Sequence, residues 1–213
     1  MEKKQQEKSL FGEFTLYLLR HGEIATPGIL AGKTDVALSE IGHKQLSQAT
    51  DSLKHINRCI SSPLVRCHEW ASQYCQQQNL PLEVECKLQE MDFGDWDGNS
   101  YQALWKLADQ SATSSIGDFW ENPWQNQPPN GETMESFISR VDNWWKGYLT
   151  TNTSPNTLVV THAGVIKYLL AKILNLPIPG TVHMVSLDVS YASLIRISLY
   201  RDENGKIWSK LVL

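Results

Sequence analysis

Five side chains in this sequence could carry out chemistry together, and two of them arrive by the same design. The apolar run Leu16-Tyr17-Leu18-Leu19 ends in Arg20-His21-Gly22, and Leu158-Val159-Val160-Thr161 ends in His162-Ala163-Gly164. Such runs read as buried strands, and polar residues at their carboxyl ends lie where open α/β sheets hold ligands. Arg66 follows Ser61-Ser62-Pro63-Leu64-Val65, and Glu90 precedes the turn-rich Gly94-Asp95-Trp96-Asp97-Gly98. By itself an Arg-His-Gly tripeptide is a weak signal, and a loop cation beside a structural histidine is its plainer reading. The chemistry follows only if the four stretches converge.

Converged, Arg20, His21, Arg66 and His162 suit a phosphoryl group. Two arginines supply planar forks of N–H donors that match its oxygens and stay charged at working pH. A histidine with one unprotonated ring nitrogen can attack phosphorus, provided an acceptor such as a backbone carbonyl fixes the other nitrogen. Gly22 would let backbone pack close enough for that. The start of the helix expected after His162 would offer further N–H groups to the anion. A departing alcohol needs a proton, which a carboxylic acid can give and later take back from water. Glu90 is well placed for this, and Asp92, Asp95 and Asp97 compete with it. A zinc site built from His21, His162 and Glu90 is the rival reading. However, there is no HExxH, paired-cysteine or aspartate-cluster motif, and two arginines beside a divalent cation would be electrostatically wasteful. No metal and no cofactor are expected.

The four stretches, in this order, resemble the histidine phosphatase superfamily, the phosphoglycerate-mutase-like fold, from about Thr15 to Tyr200. The resemblance implies a three-layer α/β sandwich and metal-independent phosphomonoester hydrolysis through a phosphohistidine. It implies His21 as nucleophile, Glu90 as proton donor, and Arg20, Arg66 and His162 as the phosphate-binding set. Gly32, Thr34 and Ala163 are possible substrate contacts. The chain departs from many relatives after Glu23, where Ile24 to Gly32 is short and lacks the family's asparagine. Its Gly-x-Leu-x-Gly-x-x-Asp run, ending at Asp35, is similar to that of the α-ribazole-5′-phosphate phosphatases of cobalamin synthesis. A nucleotide-like phosphomonoester is therefore the expected small-molecule partner. A broad small-molecule or sugar-bisphosphate phosphatase and an inactive phosphate-binding module are the alternatives.

The elements that must position these residues are legible in outline. A helix is expected from Ser39, with Leu46, Ala49, Leu53 and Ile56 on one face, then a strand at Arg58–Ser61. Ser62-Pro63 reads as the N-cap and first residue of the next helix, placing Arg66 in its first turn. A third strand is expected over Leu82–Lys87. Residues 99–130, with Trp105, Trp120 and Trp124, read as a lid or as an aromatic-pinned surface excursion. Thr133 follows Gly131-Glu132 at the opening of a helix whose Met134, Phe137, Ile138, Val141, Trp144, Trp145, Tyr148 and Leu149 form a core stripe. After the second histidine strand comes a helix over Val165–Leu174. Met184–Val189, Ser193–Tyr200 and Ile207–Leu213 read as strands, with a hairpin turn at Asn204-Gly205. The expected fold is thus a mostly parallel sheet with helices on both faces and an antiparallel edge, in one domain spanning 1–213 with a flexible extension at 1–13.

Bulk properties narrow the partners. A net charge of −4 argues against a general nucleic-acid binder and requires any anion site to concentrate a few arginines. No stretch is long and apolar enough to cross a bilayer, and Met1–Ser9 lacks the apolar core of a secretory signal. Of Cys59, Cys67, Cys75 and Cys86, Cys67 and Cys75 would stand about 12 Å apart along the expected helix, too far for a disulfide, and no paired zinc-ligand spacing occurs, so a reduced, cytoplasmic protein is expected. Oligomeric state is left open. His43, His55 and His68 fall on expected helices as solvated or packing residues, and His183 lies near enough to the last strands to be a candidate substrate contact.

Overall fold

The computed structural model describes residues 12–108, 115–180 and 182–213, with side chains described at all of these except 107–108 and 182–183. Among the described residues six strands form one sheet in the order β3-β2-β4-β1-β5-β6. They are β1 (Gly12–Arg20), β2 (Arg58–Ser61), β3 (Leu82–Val84), β4 (Asn156–Thr161), β5 (Leu194–Arg201) and β6 (Ile207–Val212). The first four strands in that order run parallel, and β5 and β6 add an antiparallel edge.

Among the described residues seven α-helices accompany the sheet: α1 (Glu40–Thr50), α2 (Val65–Gln78), α3 (Tyr101–Ala108), α4 (Ile116–Glu121), α5 (Met134–Thr151), α6 (Ala163–Ile173) and α7 (Val182–Ser186). The pleat of the strands sorts their side chains into two cores. Leu16, Leu18, Ile60, Val159 and Ile197 face the layer that contains α5 and α6. Leu19, Cys59, Leu158 and Val160 face Leu46 of α1 and Cys67, Trp70, Ala71 and Cys75 of α2. Both faces are covered, which is why the central strands read as continuous apolar runs instead of alternating ones. The stripe of α5 is buried at Met134, Phe137, Val141, Trp144, Trp145 and Tyr148, so its tryptophans are core.

Several elements differ from the sequence reading. Helix α1 stops at Thr50, so Leu53 and Ile56 pack from the following loop instead of from a helical face. Helix α2 begins at Val65, not at Pro63; the Ser62 hydroxyl sits 2.8 Å from His162 and accepts the Leu64 N–H only at 3.4 Å, while Asp35 Oδ1 accepts the Val65 N–H at 2.7 Å, capping the helix from a distant loop. Strand β3 is only three residues long, and Cys86–Leu88 turns into a 3₁₀ helix. Met184–Val189 is not a strand: Val182–Ser186 is helical and Leu187–Ser190 is loop, the usual ambiguity of a short apolar run. Helix α6 starts two residues early, directly after His162. The excursion over 99–130 contains α3 and α4 and is held by an aromatic cluster in which Phe119 meets Phe93, Trp96 and Trp120 with centroids 5.0–6.1 Å apart. Trp124 adds a hydrogen bond from Nε1 to the Gly180 carbonyl at 3.1 Å. The extension expected over 1–13 falls mostly outside the described residues, and its last two, Gly12 and Glu13, already belong to β1. The side chain of His183 likewise lies outside the described ones.

Candidate active site

Register brings the two histidines together. Strands β1 and β4 are adjacent and parallel, Arg20 pairs with Thr161, and the His21 N–H donates to the Thr161 carbonyl at 3.0 Å. Each chain therefore leaves the sheet at the same level with a histidine as its next residue. Their rings meet edge-on with centroids 5.3 Å apart, and both are buried.

Hydrogen bonding then separates them. The His21 Nδ1 lies 2.8 Å from the carbonyl of Gly22. A carbonyl can only accept, so Nδ1 carries the proton and Nε2 carries a lone pair. The backbone at Gly22 can approach because no side chain intervenes: a Cβ there would lie 2.2 Å from the Gly42 carbonyl oxygen at the start of α1. His162 has the opposite tautomer. The Nε of Arg66, which can only donate, points to its Nδ1 at 3.3 Å, so the proton is on Nε2 and goes to Ser62 Oγ at 2.8 Å. The Cys67 sulfur packs 3.7 Å from the same Nε2. Burial, with the charges of Arg66 and Arg20 beside it, holds His21 well below the ordinary imidazole range. Burial and Arg66 do the same to His162.

The two arginines are held differently as well. Arg66, fully buried in the first turn of α2, makes four hydrogen bonds within the protein. Besides His162, its Nη1 donates to the Thr34 carbonyl at 2.8 Å and its Nη2 to the carbonyls of Ala31 and Gly32. Arg20 donates from Nη1 to the Val189 carbonyl at 2.7 Å, and its guanidinium lies under the Tyr191 ring, 4.1 Å from the centroid. Its Nε is buried and finds no acceptor among the described residues. An orphaned, buried, charged donor calls for an explanation, and an anion is the simplest. Tyr191 also lies 5.6 Å from the His21 ring, and the Ala192 N–H donates to the His21 carbonyl at 3.1 Å.

Glu90 reaches the amino terminus of α6, where its Oε2 accepts the Gly164 N–H at 3.0 Å while Oε1 accepts the N–H of Met91 at 3.1 Å. Gly164 makes that approach possible, since a Cβ there would lie 2.4 Å from Glu90 Oε1. The Gly164 N–H, expected to face an anion, is thus given to the carboxylate. The three competing aspartates are occupied elsewhere. Asp92 pairs with Lys33 at 2.7 Å and accepts the Gly94 N–H. Asp95 accepts from Asn130 at 2.9 Å. Asp97 accepts the N–H groups of Gly32, Lys33, Thr34 and Phe93. It therefore holds the very loop whose carbonyls hold Arg66.

The structure brings Arg20, His21, Arg66, Glu90 and His162 to one sheet edge. Gly32 and Thr34 are beside them, but their backbone groups are spent on Asp97 and Arg66. Ala163 opens α6, half-buried, next to His162. The sequence reading has Ser62 as a helix cap and Asp97 as a rival acid, not as residues that hold His162 and the 32–34 loop, and it does not single out Tyr191. Gly164 had a visible signal, as the glycine of the second strand-histidine motif, whereas Tyr191 is a lone loop residue with none. Among the described residues no three His, Cys, Asp or Glu side chains are arranged to hold a metal ion.

Comparison with known proteins follows the same lines. The profile of the histidine phosphatase superfamily (branch 1) matches residues 16–208. The chain is similar to a protein of Salmonella typhimurium called adenosylcobalamin/alpha-ribazole phosphatase, with 30% identity over 173 residues covering 79% of this chain and 83% of that one. The protein of the same name in Escherichia coli is 29% identical over 174 residues, covering 79% and 83%. Among solved structures, a putative alpha-ribazole-5′-P phosphatase from Escherichia coli superimposes with a TM-score of 0.76 at 24% identity, covering 94% of this chain and 95% of that one. A mycobacterial glucosyl-3-phosphoglycerate phosphatase does so at 0.78 with 22% identity, covering 94% and 98%. At these identities the structures establish the fold alone.

Proposed function

Because this chain belongs to the histidine phosphatase superfamily and is a phosphatase, we propose that it hydrolyses phosphomonoesters without a metal, through a phosphohistidine on His21. The observation that carries the reading is the His21 tautomer. The Gly22 carbonyl holds the proton on Nδ1, so a lone pair remains on Nε2 beside two guanidinium charges. Such a nitrogen is nucleophilic at neutral pH, and its surroundings attract a dianion.

The steps follow from the residues. A phosphoryl oxygen gives the orphaned Arg20 Nε its acceptor, and Arg66 adds charge from the other side. His21 Nε2 attacks phosphorus as the bond to the ester oxygen breaks, and the Glu90 carboxyl passes its proton to that oxygen. In the second half Glu90 takes a proton from water as the water oxygen displaces His21 from phosphorus. Phosphate leaves and the lone pair returns to Nε2. His162, tied at both ring nitrogens, keeps Arg66 in place and stays neutral beside His21.

We propose α-ribazole 5′-phosphate as the substrate, and α-ribazole and phosphate as the products, in the assembly of the cobalamin nucleotide loop. Support comes from the names of the two curated relatives together with the Gly28 to Asp35 loop, whose carbonyls hold Arg66. The protein would work in the cytoplasm on a small molecule, with no nucleic-acid or membrane partner. Four cysteines that are all free, three of them buried, suit a reducing compartment. No described helix is long and apolar enough to cross a membrane. The test is a turnover panel of α-ribazole 5′-phosphate, 3-phosphoglycerate, fructose bisphosphates and p-nitrophenyl phosphate. A kcat/KM at least tenfold higher for α-ribazole 5′-phosphate supports the assignment. Equal values across the panel would mean a broad small-molecule phosphatase instead.

A further inference from the structure

The strongest unassigned feature lies behind Glu90. Arg140, two turns into α5, uses all five of its N–H donors. Nε and Nη2 fork onto the two carboxylate oxygens of Glu132 at 2.8 and 3.0 Å. The remaining N–H of Nη2 donates to the carbonyl of Glu90 itself at 2.9 Å. Nη1 donates to the carbonyls of Gln89 and Lys87 at 2.8 and 2.9 Å. Glu132 adds two ties of its own: its N–H donates to the Asp92 carbonyl at 2.8 Å, and its Oε2 accepts the Asp92 N–H at 3.4 Å. Two residues, Glu132 just before α5 and Arg140 within it, thus hold the segment 87–92 at five backbone groups, four through their side chains and one through the Glu132 N–H. The guanidinium face rests on the Phe137 ring at 4.9 Å, so the fork is oriented by packing as well.

Leu88 and Met91 anchor this segment in the core and the Thr161 hydroxyl donates to the Leu88 carbonyl at 2.7 Å, but the Glu90 carbonyl itself is held by Arg140. The segment follows the three-residue strand β3, carries no α-helix or sheet pairing at Glu90, and presents the carboxyl that must meet the leaving oxygen. As an ion pair alone, a partly exposed Arg140–Glu132 contact would contribute little to stability. As a five-donor fork it sets where Glu90 stands. Lysine could not substitute, having one point charge and three non-planar donors. We propose that Arg140, locked by Glu132, is the positioning residue for the proton donor, acting through the backbone of Glu90. This rests on the reading of Glu90 as the general acid.

The test compares two esters in the phosphoenzyme-forming step, by rapid quench. A simple alkyl phosphate needs a proton on its leaving oxygen, whereas p-nitrophenyl phosphate needs it far less. A displacement of about 1 Å in a catalytic group can cost ~10²-fold. Arg140→Lys should therefore slow the alkyl ester by ~10- to 100-fold and p-nitrophenyl phosphate by less than ~3-fold. In Arg140→Lys/Glu90→Gln the alkyl-ester loss should match that of Glu90→Gln alone, because the two act as one unit. Equal losses on both esters, or additive losses in the double variant, would overturn the proposal. If Arg140→Lys fails to fold, Glu132→Gln, which keeps the helix start and loosens the fork, should show the same ester selectivity at ~3- to 10-fold; no selectivity there would overturn it equally. Glu90→Gln alone separates the two layers. Without selectivity in that variant, the acid assignment itself falls; with selectivity there but not in the α5 variants, only the positioning role falls.

Discussion

His21 and His162 begin as the same sentence in the sequence: an apolar strand, a polar residue, a histidine, and a glycine within two positions. They end as different chemical objects. His21 has one ring nitrogen tied to its own backbone and the other without a hydrogen-bond partner among the described residues, while His162 has both nitrogens claimed, by Arg66 and Ser62. Burial favours the neutral form of each, so charge does not distinguish them. What distinguishes them is the partner on the second nitrogen. A buried imidazole with a spare lone pair can attack, and one with both nitrogens engaged can only hold its neighbours in place.

The largest expected effect comes from removing the free nitrogen. His21→Ala should lower turnover by roughly 10³-fold or more and abolish phosphoenzyme, with the fold retained by circular dichroism. His162→Ala should lose about 10²-fold, through a displaced Arg66, yet still trap phosphate on His21. Comparable phosphoenzyme loss in the two variants would erase the distinction. Next, Gly164→Ala places a methyl group 2.4 Å from the present position of Glu90 Oε1, pushing the carboxyl away. The expected cost is ~10-fold or more on alkyl phosphates and little on p-nitrophenyl phosphate, read by the same rapid-quench comparison.

Smaller effects concern the tied nitrogen. Ser62→Ala strands the His162 Nε2–H in a buried place, which should cost ~1–3 kcal/mol in urea unfolding. Ser62→Thr, which restores a hydroxyl, should recover much of it. The pH dependence has a definite sign. Both histidines have folded pKa values below the unfolded value of 6.5, so the unfolded chain binds more protons below that pH. Their contribution is intact above about pH 6.5 and is lost as pH falls beneath it, by about 1 kcal/mol per unit for each histidine. Urea unfolding of wild type and His162→Gln at pH 7.5 and 5.5 checks this, and an unchanged slope in the variant would show that His162 titrates normally.

Much of this arrangement was legible in the sequence, and the reason is local. Strand β1, strand β4, the early turn of α2 and the core stripe of α5 are all encoded by runs or spacings within about twenty residues. The layered α/β fold follows from such runs, whereas the convergence of the five residues was implied by the family resemblance that the order of the motifs carries. The holding contacts were not legible because they join distant segments. Asp97 grips the 32–34 loop, Arg140 grips the 87–90 carbonyls, and Asp35 caps α2, each by a pairing that no local pattern announces. Ser62 shows the opposite failure. Its Ser-Pro signal pointed to a helix cap, but the helix begins later and the shorter contact of the hydroxyl is to a tertiary partner, His162.

The most direct test of the difference between the histidines is to locate the phosphoryl group. The enzyme is mixed with a ³²P-labelled phosphomonoester, quenched in alkali within milliseconds, and digested, and the labelled peptide and its ring isomer are identified by mass spectrometry and ³¹P NMR. The expected product is an acid-labile, alkali-stable phosphohistidine on Nε2 of His21, since Nδ1 is committed to the Gly22 carbonyl. Label on His162, on Nδ1 of His21, or on a carboxylate would contradict the account.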